Sequence, residues 1–138
     1  TRFLNVTGVQ TCALPICYEL NLKLEGEMVH ELILFSDKDG NGLSLIFNLV
    51  DGEVVVDRSK VGENFATEFS SVRTAPIAPA DTTARIFIDN SVFEIFINDG
   101  EMVFSGRVFP REDQTHISIL QGDPTGVYYP LLTFTNPN

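Results

Sequence analysis

Short apolar runs of strand length, parted by turn-forming residues, recur along most of this 138-residue chain, and that rhythm limits the fold more than any other feature. Tyr18, Leu20, Leu22 and Leu24 alternate with Glu19, Asn21, Lys23 and Glu25, the period-2 pattern of a strand with one wet face. Val29 to Ser36 is a second run, D-K-D-G-N-G turns the chain at 37–42, and Leu43 to Val50 is a third. Asp51-Gly52 reads as a two-residue hairpin turn before Val54, Val55 and Val56. Residues 58–83 are looser, with one short strand expected around Ser71 to Ala75. Ala84–Asp89, Val92–Asn98, Glu101–Phe109, Thr115–Gln121 and Val127–Thr135 complete the set, with tight turns at Asn90-Ser91 and Asp99-Gly100. Nine or ten strands at roughly 8–12-residue spacing predict an all-β sandwich or barrel. No window sustains i, i+3, i+4, i+7 apolar spacing, so no long helix is expected. Residue usage agrees: 13 Val, 10 Ile, 11 Phe and 11 Thr stand against 6 Ala, which is strand chemistry.

Charge narrows the partners. A formal net charge of −10 repels nucleic acid and anionic membrane surfaces, so neither is an expected partner. No run approaches the roughly 20 apolar residues of a membrane-spanning helix. The 43% hydrophobic fraction is enough for one folded domain with its own core.

The first residues read differently from the rest. Val6 to Ile16, V-T-G-V-Q-T-C-A-L-P-I, resembles the in-frame translation of a common sequencing-library adapter. Residues 1–17 are therefore expected to be a non-native or disordered leader, and 18–138 the domain proper. Cys12 and Cys17 are spaced C-x4-C, which matches no common zinc or thioredoxin pattern, and no second Cys or His pair follows. Two cysteines build no disulfide framework, which favours a reducing compartment.

One ribbon stands out. Val92 to Ile97 carries Val92, Phe93, Ile95, Phe96 and Ile97, so it is apolar at both parities. A sheet with one face in water should be polar at half of those positions. Both faces of the Ile86–Phe109 ribbon are thus expected to be covered, one by a second sheet and one by a neighbouring domain. Glu94 sits mid-strand on the face of Val92 and Phe96, and Arg107, one strand on, is the expected partner in a structural ion pair or interface contact.

Other candidate chemistry is thin. Asp37, Asp39, Asn41 and Gly42 match the start of a calcium loop, but position twelve is Asn48 where a bidentate Glu is needed, and the flanks are strands. The segment reads as a turn instead. His30 and His116 each stand alone, without metal-ligand spacing. There is no G-x-S-x-G elbow and no phosphate-cradling glycine loop. No catalytic residue, cofactor site or metal site is assigned.

Two segments carry a resemblance. Val54 to Gly62, V-V-V-D-R-S-K-V-G, and Arg85 to Pro110, R-I-F-I-D-N-S-V-F-E-I-F-I-N-D-G-E-M-V-F-S-G-R-V-F-P, together resemble the C-terminal β-sandwich of glycoside hydrolase family 32, the β-fructosidases. The motif residues are Asp57, Arg58 and Ser59, then Asp89, Ser91, Glu94, Phe96, Asn98, Asp99, Gly100, Arg107 and Pro110, all with structural or interface roles. The resemblance runs from about Tyr18 to about Gln121 and implies a two-sheet antiparallel β-sandwich of jelly-roll or concanavalin-like kind. It also implies a parent that cleaves terminal β-fructofuranosides such as sucrose or sucrose 6-phosphate, with retention, through a covalent intermediate on a carboxylate. In the family that chemistry sits on an N-terminal β-propeller, in N-D-P-N-G, R-D-P and E-C boxes. Here N-D-G at 98–100 lacks the Pro, G-D-P at 122–124 lacks the Arg, and no Glu precedes a Cys, so no catalytic residue carries over. The implied partner is the chain's own propeller, with a homo-oligomer allowed, and the implied compartment is a bacterial cytoplasm. A free-standing carbohydrate-binding sandwich is the alternative, weakened by the absence of Trp and by only three tyrosines, Tyr18, Tyr128 and Tyr129.

Overall fold

The structure is a computed structural model that describes residues 2–3, 17–62 and 72–130. Its strands are β1 (Arg2–Phe3), β2 (Cys17–Leu24), β3 (Val29–Ser36), β4 (Leu43–Asn48), β5 (Glu53–Asp57), β6 (Val72–Pro76), β7 (Thr82–Asp89), β8 (Val92–Ile97), β9 (Met102–Arg107), β10 (His116–Gln121) and β11 (Thr125–Pro130). They form a six-stranded sheet, β1-β10-β3-β4-β5-β6, and a five-stranded sheet, β11-β2-β7-β8-β9, with every pairing antiparallel. The expected all-β, two-sheet sandwich is what forms, and no described residue is helical. The predicted leader lies mostly in residues 4–16, outside the described residues, and Cys12 lies there too.

Alternation does the building. In β2, Tyr18, Leu20, Leu22 and Leu24 point inward and are at most 2% exposed, while Glu19, Asn21 and Lys23 take the other face. Leu32, Leu43, Leu45, Phe47, Val54 and Val56 of the six-stranded sheet meet Ile86, Ile88, Phe93, Ile95 and Ile97 of the five-stranded sheet in one core. At roughly 25 cal/mol per Å² of apolar area, burying each large side chain contributes about 1.5–3 kcal/mol before entropy is charged against it.

Three local details depart from the sequence expectation. Asn48 pairs with Glu53 and Ile97 with Met102, so the β4–β5 and β8–β9 connections are four-residue loops and not two-residue Asp-Gly turns. Asn48 Oδ1 accepts from the amides of Val50 and Asp51, both at 3.0 Å, and Leu49 turns back into the core at 1% exposure. That inward Leu49 is why the sequence reads as a strand two residues too long. In β3 the register shifts: Ser36 opposes His116 and Ile33 opposes Ser118, so three steps on β3 match two on β10. Phe35 absorbs the extra residue at φ +51°, a left-handed conformation rare for an aromatic residue. Gly42 makes room for it, because a Cβ there would run into the carbonyls of Leu34 and Phe35.

Candidate functional site

The motif residues divide into a clasp between the sheets and an outward-facing ribbon. The clasp begins at Asp57, whose Oδ1 accepts the Ser59 amide at 2.8 Å and turns the chain out of β5. Arg58 then reaches across the sandwich and donates from Nη1 to the Arg107 carbonyl at 3.2 Å, and Arg73 of β6 donates likewise to the Ser105 carbonyl at 2.9 Å. The two motif segments therefore meet, through a side chain of one and the backbone of the other. Beyond β9, the Val108 amide donates to the Ser91 carbonyl at 2.7 Å, and half-buried Pro110 leads into a polar knot.

Gln114 is the centre of that knot and is 2% exposed. Its Oε1 accepts the amides of Gly62 (2.7 Å) and Arg111 (2.9 Å), and its Nε2 donates to the carbonyls of Lys60 (3.0 Å) and Asn41 (3.1 Å). All four side-chain positions of one amide are engaged, tying three loops together. Beside it lies Asp37. Oδ1 accepts the amides of Asp39 and Asn41, and Oδ2 accepts Asn41 Nδ2 and, at 2.9 Å, Arg111 Nη2. Burial pushes the Asp37 carboxyl up, but the hydrogen bonds from Asn41 and Asp39 and the charge of Arg111 outweigh it and hold the group below its ordinary range. The D-K-D-G-N-G segment is thus a turn wrapped around its own first carboxylate, with N–H donors on both oxygens.

The ribbon starts where Asp89 ends β7 and accepts the Cys17 thiol at 3.2 Å. Burial, then the bond to Asp89 and its charge, push that thiol up, so Cys17 is a buried, weakly reactive sulfur. The Asn90-Ser91 turn is as tight as the sequence predicts, with Asn90 at φ +56°. At the other end, Asn98 extends the ladder past its last strand pair: its amide donates to the Thr83 carbonyl (2.9 Å), and its Oδ1 accepts the Thr83 amide (3.0 Å). Asn98, Asp99 and Gly100 then run at φ +50°, +59° and +93°. Nothing lies near a Cβ at Gly100, so backbone conformation alone favours glycine there.

On the outward face, Phe87 and Phe96 stand edge to face with centroids 5.8 Å apart. The Arg85 guanidinium lies 4.8 Å over Phe87, and its Nε donates to Glu19 at 2.9 Å. A groove of about 620 Å³ opens beside them, lined by Lys23, Thr83, Phe96, Asp99 and Val127 among others. Glu94 is exposed, and register places it opposite Phe87 and Ser105, while Arg107 opposes Val92. The expected Glu94–Arg107 ion pair is therefore absent: among the described residues the ion pairs are Arg85–Glu19, Arg111–Asp37 and Arg111–Asp113. Sequence reasoning placed Glu94 among apolar neighbours and missed that an exposed carboxylate needs no partner. It also missed the Gln114 knot, whose partners lie up to 73 positions away. Tyr18 is buried and tilted against Tyr128, and only Tyr129, 48% exposed, offers a largely open ring among the three tyrosines. Both nitrogens of buried His30 are taken: Nε2 bonds the Glu25 carbonyl and Nδ1 accepts the Asp123 amide, an arrangement that fixes the Nε2–H tautomer.

Comparison with known proteins fits this division. The family model described as "Glycosyl hydrolases family 32 C terminal" matches residues 8–129. The sucrose-6-phosphate hydrolase of Streptococcus mutans is 50% identical over 114 residues, which is 83% of this chain and 24% of that protein. The solved sucrose-6-phosphate hydrolase of Lactobacillus gasseri superposes with a TM-score of 0.80 at 30% identity, over 85% of this chain and 25% of that one. Sheep galectin-11 shares the fold alone, at 13% identity and a TM-score of 0.56. The chain spans about a quarter of the length of these hydrolases. On this match, and on two motif segments that fold into one clasp, the chain belongs to the C-terminal domain family of glycosyl hydrolases family 32.

Proposed function

We propose that this chain is the accessory β-sandwich of a β-fructosidase that acts on sucrose or sucrose 6-phosphate, with the hydrolytic chemistry carried by an N-terminal β-propeller. The observation that carries this reading is where the motif residues sit. Asp57, Arg58, Ser59 and the backbone of Ser91 and Arg107 are used up in holding two sheets and their loops together. Acidic residues at a glycosidase centre face each other across a pocket. Here Asp57 caps a turn, Asp89 holds a thiol, and Glu94 lies open on a sheet face. The role is mechanical: to brace the propeller and, in an oligomer, a neighbouring subunit. A bacterial cytoplasm is the compartment this reading favours. The direct test is to incubate the purified chain with sucrose and with sucrose 6-phosphate and assay released glucose or glucose 6-phosphate. No release is expected, and steady turnover would overturn the assignment of chemistry to another part of the polypeptide. Titration with fructans separates the rival reading, since saturable binding by the chain alone favours a carbohydrate-binding module.

A further inference from the structure

Asparagine followed by glycine or serine is a chemically fragile linkage, because the next backbone nitrogen can close on the side-chain carbonyl carbon. The described residues hold two such pairs, Asn41-Gly42 and Asn90-Ser91. By residue type alone Asn41-Gly42 should react first, since glycine offers the attacking nitrogen the least hindrance. The fold reverses that order. The Asn41 amide and Nδ2 both donate to Asp37, at 2.9 and 3.2 Å, and the Asn41 carbonyl accepts Gln114 Nε2 at 3.1 Å and the Asp37 amide at 3.0 Å. Gly42 beside it is buried. Asn41 cannot turn its Cγ toward the Gly42 nitrogen without opening the knot around Asp37 and Gln114. Asn90 is in the opposite condition. It is exposed, at φ +56°, at the tip of the β7–β8 turn. Among the described residues its Nδ2 has one long bond, 3.3 Å to Asp89 Oδ1, while its Oδ1 and the Ser91 amide have no partner. An exposed bond of that length holds little against rotation.

We propose that Asn90 is the site of spontaneous modification in this protein, losing ammonia to become aspartate and isoaspartate, and that the change unlocks Cys17. The Ser91 nitrogen, its proton taken by hydroxide or a buffer base, forms a bond to Asn90 Cγ. The Cγ–Nδ2 bond breaks, Nδ2 takes up a proton and leaves as ammonia, and a cyclic succinimide remains. Water then adds to either ring carbonyl, with no change of oxidation state. Opening at Cγ gives aspartate. Opening at the backbone carbonyl gives isoaspartate, whose main chain runs through Cβ and is one methylene longer. Both products strike the same contacts. Asp89 Oδ1 loses the Nδ2 donor and gains a like charge beside it. The longer backbone no longer fits a two-residue turn fixed by the Asp89–Val92 pair and by the 2.7 Å bond from the Val108 amide to the Ser91 carbonyl. Asp89 also accepts the Cys17 thiol at 3.2 Å, and the Asn90 amide donates to the same sulfur. Cys17, 5% exposed, is therefore kept out of solution by the residues that change.

The test ages the purified chain carrying Cys12→Ser, so that Cys17 is its only thiol. The chain is kept under reductant in mildly alkaline buffer, either folded or in urea. Peptide mapping follows the loss of ammonia at each asparagine, and enzymatic carboxyl methylation reports isoaspartate. In the folded chain Asn90 is expected to convert several-fold faster than Asn41, and in urea the order should reverse. Cys17 of the aged, folded chain should react several-fold faster with a thiol reagent than before ageing. Asn90→Gly, which keeps the positive φ and has no carboxamide, should age with no gain in Cys17 labelling. Asn41 converting first in the folded chain, or Asn90 intact after urea has consumed Asn41, overturns the site. Conversion of Asn90 with Cys17 labelling unchanged overturns the link to the thiol.

Discussion

The inner and outer faces of the β7–β9 ribbon are made from alternate residues of the same three strands and end in opposite conditions. Ile86, Ile88, Phe93, Ile95, Ile97 and Phe104 lie inside, none more than 7% exposed. Arg85, Phe87, Glu94, Phe96, Val103 and Ser105 lie outside, a mixture of rings, charges and small groups. The inner half fits the expectation of a covering sheet in full. The outer half is less apolar than the run Val92–Ile97 suggests, because the neighbouring strands place Arg85, Ser105 and Arg107 among its apolar residues. An apolar residue at an outward parity therefore signals burial only together with its cross-strand neighbours.

That contrast can be attacked directly. The largest effect belongs to Ile95→Ala, which opens a cavity in the core and should cost about 2–5 kcal/mol in urea unfolding. Phe96→Ala, the adjacent residue, should cost clearly less, and equal losses would erase the distinction between the faces. Next comes Gln114→Ala at the ribbon's polar fastening, expected to cost about 1–3 kcal/mol because it strands two amides and two carbonyls. Acid probes the same fastening. The folded Asp37 carboxyl titrates below its unfolded value of about 3.9, so its contribution is complete above that pH and is lost as pH falls below about 4. Unfolding curves from pH 7 to pH 3 should show this decline, and Asp37→Asn, weaker at pH 7, should show a flatter one. The smallest effect is Glu94→Gln, which should stay within about 0.5 kcal/mol by the same assay. A larger loss would restore the buried ion pair that the register denies.

Much of this architecture was legible in the chain. Ten strands, their antiparallel sense and the tight Asn90-Ser91 turn follow from alternation and turn chemistry, which are local. What escaped depends on register or distance. Leu49 mimics a strand residue because it is buried inside a loop. Phe35 shows no sign of its bulge, since the strain is set by β10 and the space left by Gly42. The family motif located Asp57, Arg58 and Arg107 but not their roles, because Arg58 contacts the backbone of Arg107 and a carbonyl acceptor leaves no trace in residue identity. Gln114 carried no signal at all: a glutamine with four partners in three loops reads like any surface amide.

The arginines that cross from β5 and β6 have one more consequence. Among the described residues β9 ends its sheet, and the carbonyls of Ser105 and Arg107 are acceptors that a terminal strand would otherwise hold out to any passing extended peptide. With guanidinium groups already seated on them, a foreign segment laid along β9 finds its hydrogen-bond template half filled. The chain thereby resists strand-by-strand growth along this border.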